Sequence, residues 1–506
     1  MTEESMNRSV PKSINYQDTL PMSVPAIARR RRFFPVNGPT FDFLGTDQIR
    51  IEIESTNSLC DVLHSYLEFD VTNNSGLNLG WEECGAPVMF DRVSVEQGGR
   101  ELSSLNAYNR LHAGVISSAQ QPHDGAMTES ITAGQRGHSL QAPAAQVNQM
   151  NPYVMGAPNT GQMHGLSGND VRQFPNGATA RFTMPILSGL FKTDKLLPLP
   201  LVKQGAPITL VLSLTNPLNV GVWSGVPAFN GLPIIKCSYV AQLIEVGRDV
   251  IDQIRMVQAD MGGQLAISST DIEHNVGNLL ATSVGDTPIR LPLRKRSMKS
   301  LWFLMQSDDY ANGAAGLGPE DIYNMAFSGN ANMNSYRLQV GSVSYPPEAI
   351  NCWGNVAVAA GANAVLADCN RSECAMELAK SFGSLAFTSP TGTLCTNTYG
   401  TNATAIAAPR LSDGDNGDGA GPPGNTQAPG TNMNKSVCPF GLDLDAFAQH
   451  VATQGGVDTE TLSLESNLIL NINAVTAGLE DKNVHMWVLY DQHYYFNANG
   501  MITYSN

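Results

Sequence analysis

The stretch FTMPILSGLFKTDKLLPLPLVKQGAPITLVLSL, Phe182 to Leu214, decides the fold of this chain. Its end, ITLVLSL (208–214), carries isoleucine or leucine at every second position, which is the period of a strand with one buried face. Before it, Pro198, Pro200 and Pro207 bracket a short apolar run and forbid a helix there. The stretch therefore predicts a strand, a proline-fixed loop and a second strand.

The same period of two recurs from about residue 41 to the C-terminus, and few segments carry the period of a helix. Alternation of apolar and polar residues is typical of antiparallel strands with one face on a core. The chain is therefore predicted to be all-β and of sandwich type. The alternating segments are 49–53, 67–71, 93–95, 289–293, 336–340, 462–464 and 468–472.

Length and composition restrict the architecture. At 506 residues the chain exceeds what one hydrophobic core normally holds, so two domains are expected. Charged residues are only 15%, whereas 47 glycines and 29 prolines suit many strands joined by turns and long loops. The formal net charge of -15 argues against a surface that coats nucleic acid over its whole area, although a local basic patch could still bind it.

The cysteines and the N-terminus bear on the compartment. The 8 cysteines contain no CxxC pair, which favours thiols in a reducing environment over the alternatives, a disulfide framework or a zinc site. The first residues, MTEESMNRSV, lack the apolar segment of a signal peptide, and no apolar run approaches the roughly 18 residues of a transmembrane helix. We expect a soluble protein made in a cytosol-like environment.

The pattern divides the chain into an N-terminal arm and two halves with a similar order of strands, short helix and long loop. Residues 1–40 are predicted to be a polar, proline-containing N-terminal arm. The first sandwich is expected over 41–260 with a long loop at 119–180, and the second over 261–506 with a long loop at 384–437. Loop 119–180 lacks a hydrophobic period, which indicates either a functional loop or one that a neighbouring subunit holds.

Short helices and one tight turn interrupt the strands. Gly98-Gly99 between two strand-like runs indicates a hairpin turn. Three segments show an apolar stripe at helical spacing, and the middle one, followed by Gly262-Gly263, marks the boundary between the halves. The stripe residues are Tyr108, Leu111 and Val115; Val250, Ile254 and Val257; and, after a start at Ser372, Ala375, Leu378 and Phe382.

The run Arg29, Arg30, Arg31 and Arg32 is the most unusual feature of the arm. One interpretation is a solvated arm that becomes ordered only on contact with a partner. The other is that four adjacent guanidinium groups bind phosphate, either of a nucleic acid or of lipid head groups. The residues alone leave both open.

Enzyme and metal signatures are missing from the sequence. It contains no GxxxxGK[ST], HExxH or GxSxG motif, and its histidines lack metal-ligand spacing. The acidic run 413–418 resembles the start of a calcium loop but lacks the glutamate at the twelfth position. His485 and His493 are read as ordinary strand histidines. No catalytic residue, cofactor or metal is predicted.

One segment of the second half carries an unusual number of basic residues. TPIRLPLRKRSMKSLWFLMQ (287–306) is read as a strand with outward basic positions that leads into an apolar strand, 301–305. The basic positions predicted to face solvent are Arg290, Arg294, Lys295, Arg296 and Lys299.

The order of these segments resembles the double jelly-roll major capsid proteins of double-stranded DNA viruses, in the branch of polinton-like and nucleocytoplasmic large DNA viruses. The likeness rests on four segments in sequence order, spanning roughly 41–506, and no single one is a strict motif. They are 66–71 with 88–102 and the following helix; 190–214; VAQLIEVGRDVIDQI (240–254); and HMWVLYDQHYYFNANGMI (485–502).

This resemblance implies a fold and a role. It implies two tandem jelly-roll β-sandwiches with a few short helices and long surface loops, three copies of which form a pseudo-hexagonal homotrimeric capsomer of an icosahedral shell. Partners would be neighbouring capsomers and minor capsid and penton proteins, in a virion whose proteins are made in the host cytoplasm or a virus factory. The run Arg29–Arg32 would face the interior, toward a membrane, minor capsid protein or genome.

Two other functions are weighed against a capsid role. A non-capsid viral spike or carbohydrate-binding β-sandwich protein would require an exposed aromatic platform, for which 5 tryptophans provide little material. A β-sandwich hydrolase would require a pair of carboxylates in a groove, whereas two solid cores would argue against it.

Overall fold

The structure is a computed structural model, which describes the protein over several ranges of the sequence. The described residues are 26–116, 173–223, 230–307, 333–352, 372–382, 439–446, 455–460, 466–472 and 481–505, apart from 78, 82, 83, 175, 194 and 281. The predicted loop 384–437 and most of the predicted loop 119–180 lie outside these ranges; the end of the latter already belongs to two strands.

The first half forms an antiparallel β-sandwich. A six-stranded sheet has the order β1-β13-β4-β10, with β2 beside β13 and β9 beside β4, and it packs against a four-stranded sheet of order β3-β11-β6-β7. A small sheet, β12-β5-β8, lies beside them. The strands are β1 Ala26–Phe33, β2 Thr40–Phe41, β3 Gln48–Ile53, β4 Ser58–Thr72, β5 Leu79–Trp81, β6 Phe90–Gln97, β7 Arg100–Asn106, β8 Gln173–Phe174, β9 Thr179–Met184, β10 Leu197–Pro198, β11 Ile208–Leu214, β12 Gly221–Trp223 and β13 Ile234–Val246.

Strand β11 is the predicted ITLVLSL strand, and it is more deeply buried than its alternation indicates. It pairs with β3 on one side and β6 on the other. Thr209 and Val211, which the alternation places on an exposed face, are only 9% and 5% exposed. The prolines before it fix Leu197–Pro198 as a short strand on β4 and a 3-10 turn at Leu199–Leu201.

The second half is a second antiparallel sandwich. A five-stranded sheet has the order β14-β21-β16-β19, with β22 beside β21, and a four-stranded sheet has the order β15-β20-β17-β18. The strands are β14 Gln264–Leu279, β15 Gly285–Leu291, β16 Met298–Ser307, β17 Met333–Val340, β18 Val343–Asn351, β19 Phe440–Asp443, β20 Ser466–Ile472, β21 Lys482–Asn497 and β22 Ile502–Ser505. The prediction of an all-β chain with two tandem sandwiches is confirmed.

The predicted helices and the hairpin turn are present. Gly98 and Gly99 take positive φ values of 56° and 81° between β6 and β7, which is the backbone that a two-residue hairpin requires. The helices are α1 Tyr108–Arg110, continuing as a π-helix at Leu111–Ile116; α2 Arg248–Asp260; α3 Ser372–Ser381; and 3-10 turns at Ala86–Met89, Gly189–Lys192, Leu199–Leu201 and Pro217–Asn219.

Helix α2, between the sandwiches, packs through a face that only partly matches its predicted apolar stripe, since Ile254 of that stripe lies partly buried against the core. Ile251 and Gln258 are its buried residues, and Gln258 Nε2 donates to the Phe496 carbonyl at 2.7 Å. Val257, predicted to be on the packed face, is 48% exposed. The buried glutamine fixes the helix through a hydrogen bond, which the pattern of apolar residues alone does not predict.

The two sandwiches are joined by a continuous core. In β16, Leu301, Phe303 and Met305 belong to the core of the second sandwich. The alternate residues Trp302 and Leu304 belong to the core of the first. Because both faces of this strand are buried, its sequence is an uninterrupted apolar run, as in strands covered on both sides. The sandwiches therefore form one packed unit.

Two of the basic positions predicted to face solvent are buried. Lys295 and Lys299 are each 7% exposed. Lys295 Nζ lies 2.9 Å from Glu273 Oε2. Lys299 Nζ lies 3.1 Å from Asp491 Oδ1, with Asp445 Oδ2 at 3.8 Å. Carboxylates on neighbouring segments thus take the place of solvent.

Candidate functional site: the arginine strand and the junction between the sandwiches

The run Arg29–Arg32 lies in an ordered strand. β1 pairs with β13 from Ala26 opposite Val246 to Phe33 opposite Tyr239, and it forms the edge of the six-stranded sheet. This corrects the prediction that residues 1–40 are an arm throughout, since residues 26–33 belong to the first sandwich. The strand is exposed along its length except at Phe33, and charged residues on such an edge discourage pairing with another sheet.

Each of the four arginines has a carboxylate partner in the same chain. Arg32 donates to both oxygens of Glu68, at 2.5 and 3.2 Å, while Arg30 lies 3.9 Å from the same carboxylate. Arg29 lies 3.3 Å from Glu245, and Arg31 lies 3.3 Å from Glu54. The arginine side chains nevertheless remain 40% to 62% exposed.

Two carboxylates of this face lie on β4, a strand whose alternation predicts one polar side. Glu68 and Asp70 on β4, expected on a solvent-facing side, are 8% and 5% exposed because basic side chains cover them. Arg181 donates to Asp70 Oδ1 at 2.7 Å, and Lys236 Nζ lies 3.9 Å from Asp70 Oδ2. The bidentate hydrogen bond from Arg32 is the main reason that the pKa of Glu68 is lowered.

The charges on this face do not cancel. Six basic side chains meet four carboxylates, which leaves a local positive surplus on a chain of net charge -15. The basic residues are Arg29, Arg30, Arg31, Arg32, Arg181 and Lys236, and the acidic residues are Glu54, Glu68, Asp70 and Glu245. We call these ten residues the arginine face.

A second group of polar residues lies where the sandwiches meet. The Gly189 N–H donates to Asp271 Oδ1 at 3.0 Å, and Ser269 Oγ donates to the Gly189 carbonyl at 2.5 Å. A Cβ on Gly189 would lie 2.2 Å from Tyr494 Oη, so only glycine allows this approach. Burial raises the pKa of Asp271.

The final hairpin of the chain closes the junction at another point. Gln97, at the end of β6, donates through Nε2 to the Gly500 carbonyl at 3.0 Å and accepts from the Ile502 N–H at 2.6 Å. The Lys203 N–H donates to the same carbonyl of Gly500 at 2.9 Å. The C-terminal β21–β22 turn is therefore bonded to the first sandwich.

A third group contains the histidine that was read as an ordinary strand residue. His485 on β21 stacks with His274 on β14, with ring centroids 5.3 Å apart, and lies 3.3 Å from Arg110 Nη1 of the first sandwich. His493, by contrast, contacts Ser268 within its own sandwich. No local motif indicates the group around His485, because its members are distant in the sequence.

A groove of about 570 Å³ opens beside this junction. Its lining includes Lys203, Arg255 and Gln258 together with the turn 497–500. It is the meeting point of the proline loop, helix α2 and the final hairpin, and its two cations give it a positive character.

The described residues hold no group of three or more His, Cys, Asp or Glu side chains placed to bind a metal ion. Five of the 8 cysteines lie in the described part, and all five are buried thiols. Within the same ranges, no helix is both long and apolar enough to cross a membrane.

Comparisons with known proteins find similar solved structures. No protein-family profile matches the chain, and no curated protein sequence matches it. PBCV-1 VP54, whose crystal structure was fitted into a cryo-EM reconstruction of the virophage Sputnik, is 10% identical, with 97% of this chain and 99% of that chain covered and a TM-score of 0.55. The quasi-atomic model of the PBCV-1 virus capsid gives 10% identity, 97% and 100% coverage and a TM-score of 0.55. The chain thus has the double jelly-roll fold that its segment order predicts.

Proposed function

We propose that this chain is a major capsid protein, which self-assembles as pseudo-hexameric homotrimers into the icosahedral shell of a double-stranded DNA virus. The observation that carries the proposal is that, over the described residues, two antiparallel sandwiches in tandem pack against each other through a shared core. The similar structures support it, since one of them is a virus capsid. The proposed location is therefore the virion, after synthesis in the host cytoplasm or a virus factory.

The geometry of the junction suits this role. A trimer of single sandwiches has three lobes, whereas a trimer of paired sandwiches has six, which fills a hexagonal position in a shell. The pair must be rigid for the six lobes to keep a fixed outline. The core shared by the two sandwiches and the hydrogen bonds of Gly189, Gln97 and Arg110 supply that rigidity.

Exposed apolar side chains offer contacts to other copies and to minor capsid and penton proteins. Phe34, Val36 and Leu44 are 57% to 65% exposed in the segment that follows β1. Val276, Leu280 and Val284 are 51% to 60% exposed around the β14–β15 connection of the second sandwich. Large apolar residues concentrated in this way are typical of association surfaces.

The mass of the purified protein in solution tests the proposal. Light scattering coupled to gel filtration should give three times the chain mass of 54.2 kDa, and negative-stain images of the same peak should show a hexagonal outline. A stable monomer would overturn the capsomer proposal. It would favour a spike or carbohydrate-binding protein, which a glycan screen of the same sample would detect.

The arginine face is proposed to contact phosphate on the capsid's inner side, either of the genome or of an internal membrane, with a minor capsid protein as the alternative partner. Its positive surplus and the exposure of Arg29 and Arg31 support this role. Arg30 and Arg32 are tied to the buried Glu68, so part of the run serves the fold. Because the contact would depend on charge, binding should weaken as the salt concentration rises, with a shallow slope because the surplus engages few phosphates.

The double variant R29S/R31S separates the two roles of the run, because it leaves the Glu68 hydrogen bonds in place. It should form trimers but assemble particles poorly, and it should bind either double-stranded DNA or anionic vesicles more weakly than the natural protein. R296S/R337S is the matched control, since it also removes two carboxylate-paired arginines, from the second sandwich. Assembly and binding equal to those of the control would remove the interior contact.

A further inference from the structure

Four side chains connect the sandwiches at a single point: Arg110, His274, His485 and Trp487, here called the junction cluster. Arg110 ends α1 of the first sandwich, whereas the other three lie on β14 and β21 of the second. His274 stacks on His485 at 5.3 Å and lies against Trp487 at 5.1 Å between ring centroids. Trp487 is fully buried and His485 is 8% exposed, so the cluster is largely shielded from water.

The hydrogen bonds of the junction cluster fix the proton positions on both imidazoles. Arg110 can only donate, so His485 Nε2, 3.3 Å from Arg110 Nη1, must accept. The proton of neutral His485 then lies on Nδ1, from which it is donated to His274 Nε2 at 3.1 Å. This chain of bonds exists only while both rings are neutral, because a protonated imidazole has no nitrogen left to accept a hydrogen bond.

The charges around the cluster oppose a further proton. The Arg110 guanidinium faces His485 directly, and it also donates to Gln306 Oε1 on β16. Asp91 on β6 is the carboxylate whose attraction reaches Arg110. His112, on the π-helix that follows Arg110, is a further titratable group on this side and is also buried. A protonated His485 would thus meet a fixed positive charge.

We propose that the junction cluster is an acid-sensitive latch between the two sandwiches, which holds them together while both imidazoles are neutral and releases when they take up protons. Burial, with Arg110 as the second cause, lowers the pKa of His274 to about 4. Burial, followed by Arg110 and His274, lowers the pKa of His485 well below its ordinary value.

The sign of the effect follows from these directions. Because both native pKa values lie below the value of about 6.5 in an opened or unfolded state, the closed latch has its full stability above that pH. As the pH falls from about 6.5 toward 4, the open state gains protons that the closed state does not, so closure weakens. Each histidine then weakens closure by about tenfold per pH unit.

Hydrogen–deuterium exchange of the full chain at several pH values between 7 and 4.5, corrected for intrinsic exchange, tests the latch. We expect protection in the middle of β14 to fall with pH by up to about a hundredfold per unit, two histidines contributing tenfold each. Protection in 110–116, which also contains His112, should fall at least as steeply. Strand β13, which pairs with β1, β2 and β4 in the six-stranded sheet, should keep its protection. Loss of protection in β13 at the same pH as in β14 would overturn the proposal.

The variant H274Q/H485Q removes the titrating groups and provides the second test. Its protection in the middle of β14 should change little between pH 6.5 and 4.5, whereas the control H493Q, altered on the same strand as His485, should follow the natural protein. A variant with unchanged pH dependence would contradict the latch. If the double variant does not fold, H274Q alone should halve the pH slope on a logarithmic scale, and the comparison with β13 in the natural protein needs no variant.

Discussion

Replacing Gly189 by alanine should loosen the junction between the sandwiches. The added Cβ would lie 2.2 Å from Tyr494 Oη and 2.8 Å from Asp271 Cγ, more than an ångström inside ordinary contact with the hydroxyl. Neither neighbour can move freely, because Tyr494 Oη donates to Gln492 at 2.8 Å and Asp271 accepts from the N–H groups of Gly189 and Ile272. The backbone of Gly189 must therefore shift away from Asp271.

Two costs contribute to the predicted loss of stability. Overpacking at a buried site costs about 1–3 kcal/mol. Weakening the hydrogen bond to the buried Asp271 adds about 1–2 kcal/mol. The unfolding entropy of 506 residues is about 1 kcal/mol/K, so the total of about 2–5 kcal/mol should lower Tm by roughly 2–5 °C, measured by circular dichroism or calorimetry.

Two further variants make the G189A measurement specific. G247A is the matched control, because Gly247 has an ordinary φ of -58° and no atom lies within 4 Å of the place where its Cβ would be, so its Tm should change little. In the background Y494F the colliding hydroxyl is gone, and the cost of G189A should be smaller there than in the natural protein. A Tm of G189A equal to that of G247A, or an equal cost in both backgrounds, would refute the steric argument.

Three other changes have definite expected outcomes. K299M leaves two carboxylates buried without their cation and should cost about 3–5 kcal/mol in urea unfolding, whereas the exposed R294Q should cost under about 0.5 kcal/mol; equal costs would contradict the burial of Lys299. E68Q should cost about 1–2 kcal/mol at pH 7. Because the native pKa of Glu68 is lowered, ionised Glu68 stabilises the fold above the ordinary carboxyl pKa of about 4.3, and this stabilisation is lost as the pH falls through the native pKa. The stability difference between E68Q and the natural protein should therefore vanish in acid. A difference that does not depend on pH would contradict this reasoning. Burial raises the pKa of Cys60 to about 12, so iodoacetamide at pH 8 should modify its peptide, followed by mass spectrometry, only after denaturation.

The fold was predictable because the spacing of apolar residues and the positions of proline and glycine determine the local backbone conformation. The alternation in 208–214, the glycine pair at 98–99 and the helical stripe at 108–115 each specify a local backbone that the tertiary structure keeps. The order of those elements was enough to indicate two sandwiches in tandem. No partner far along the chain is needed for any of these inferences.

The site was harder to predict because its contacts join distant residues. Glu68 looks like a solvent-facing position until Arg32 covers it, and Lys299 looks exposed until Asp491, nearly 200 residues later, lies beside it. His485 acquires its role only from Arg110 and His274. The one available signal was the run 301–305, whose lack of alternation indicates a strand buried on both faces and hence a neighbour on each side.

The position of β21 in its sheet has a consequence for biosynthesis. The strand lies between β14 and β16, yet it is made from residues 482–497, at the end of the chain. Until the ribosome has released that segment, β14 and β16 expose unpaired edges and the apolar faces that later join the two cores. The second sandwich can therefore close only after residues 482–497 have left the ribosome, and before that nascent chains on one message can pair wrongly at the free edges of β14 and β16. A product truncated before residue 482 should aggregate rather than accumulate as a half-folded subunit.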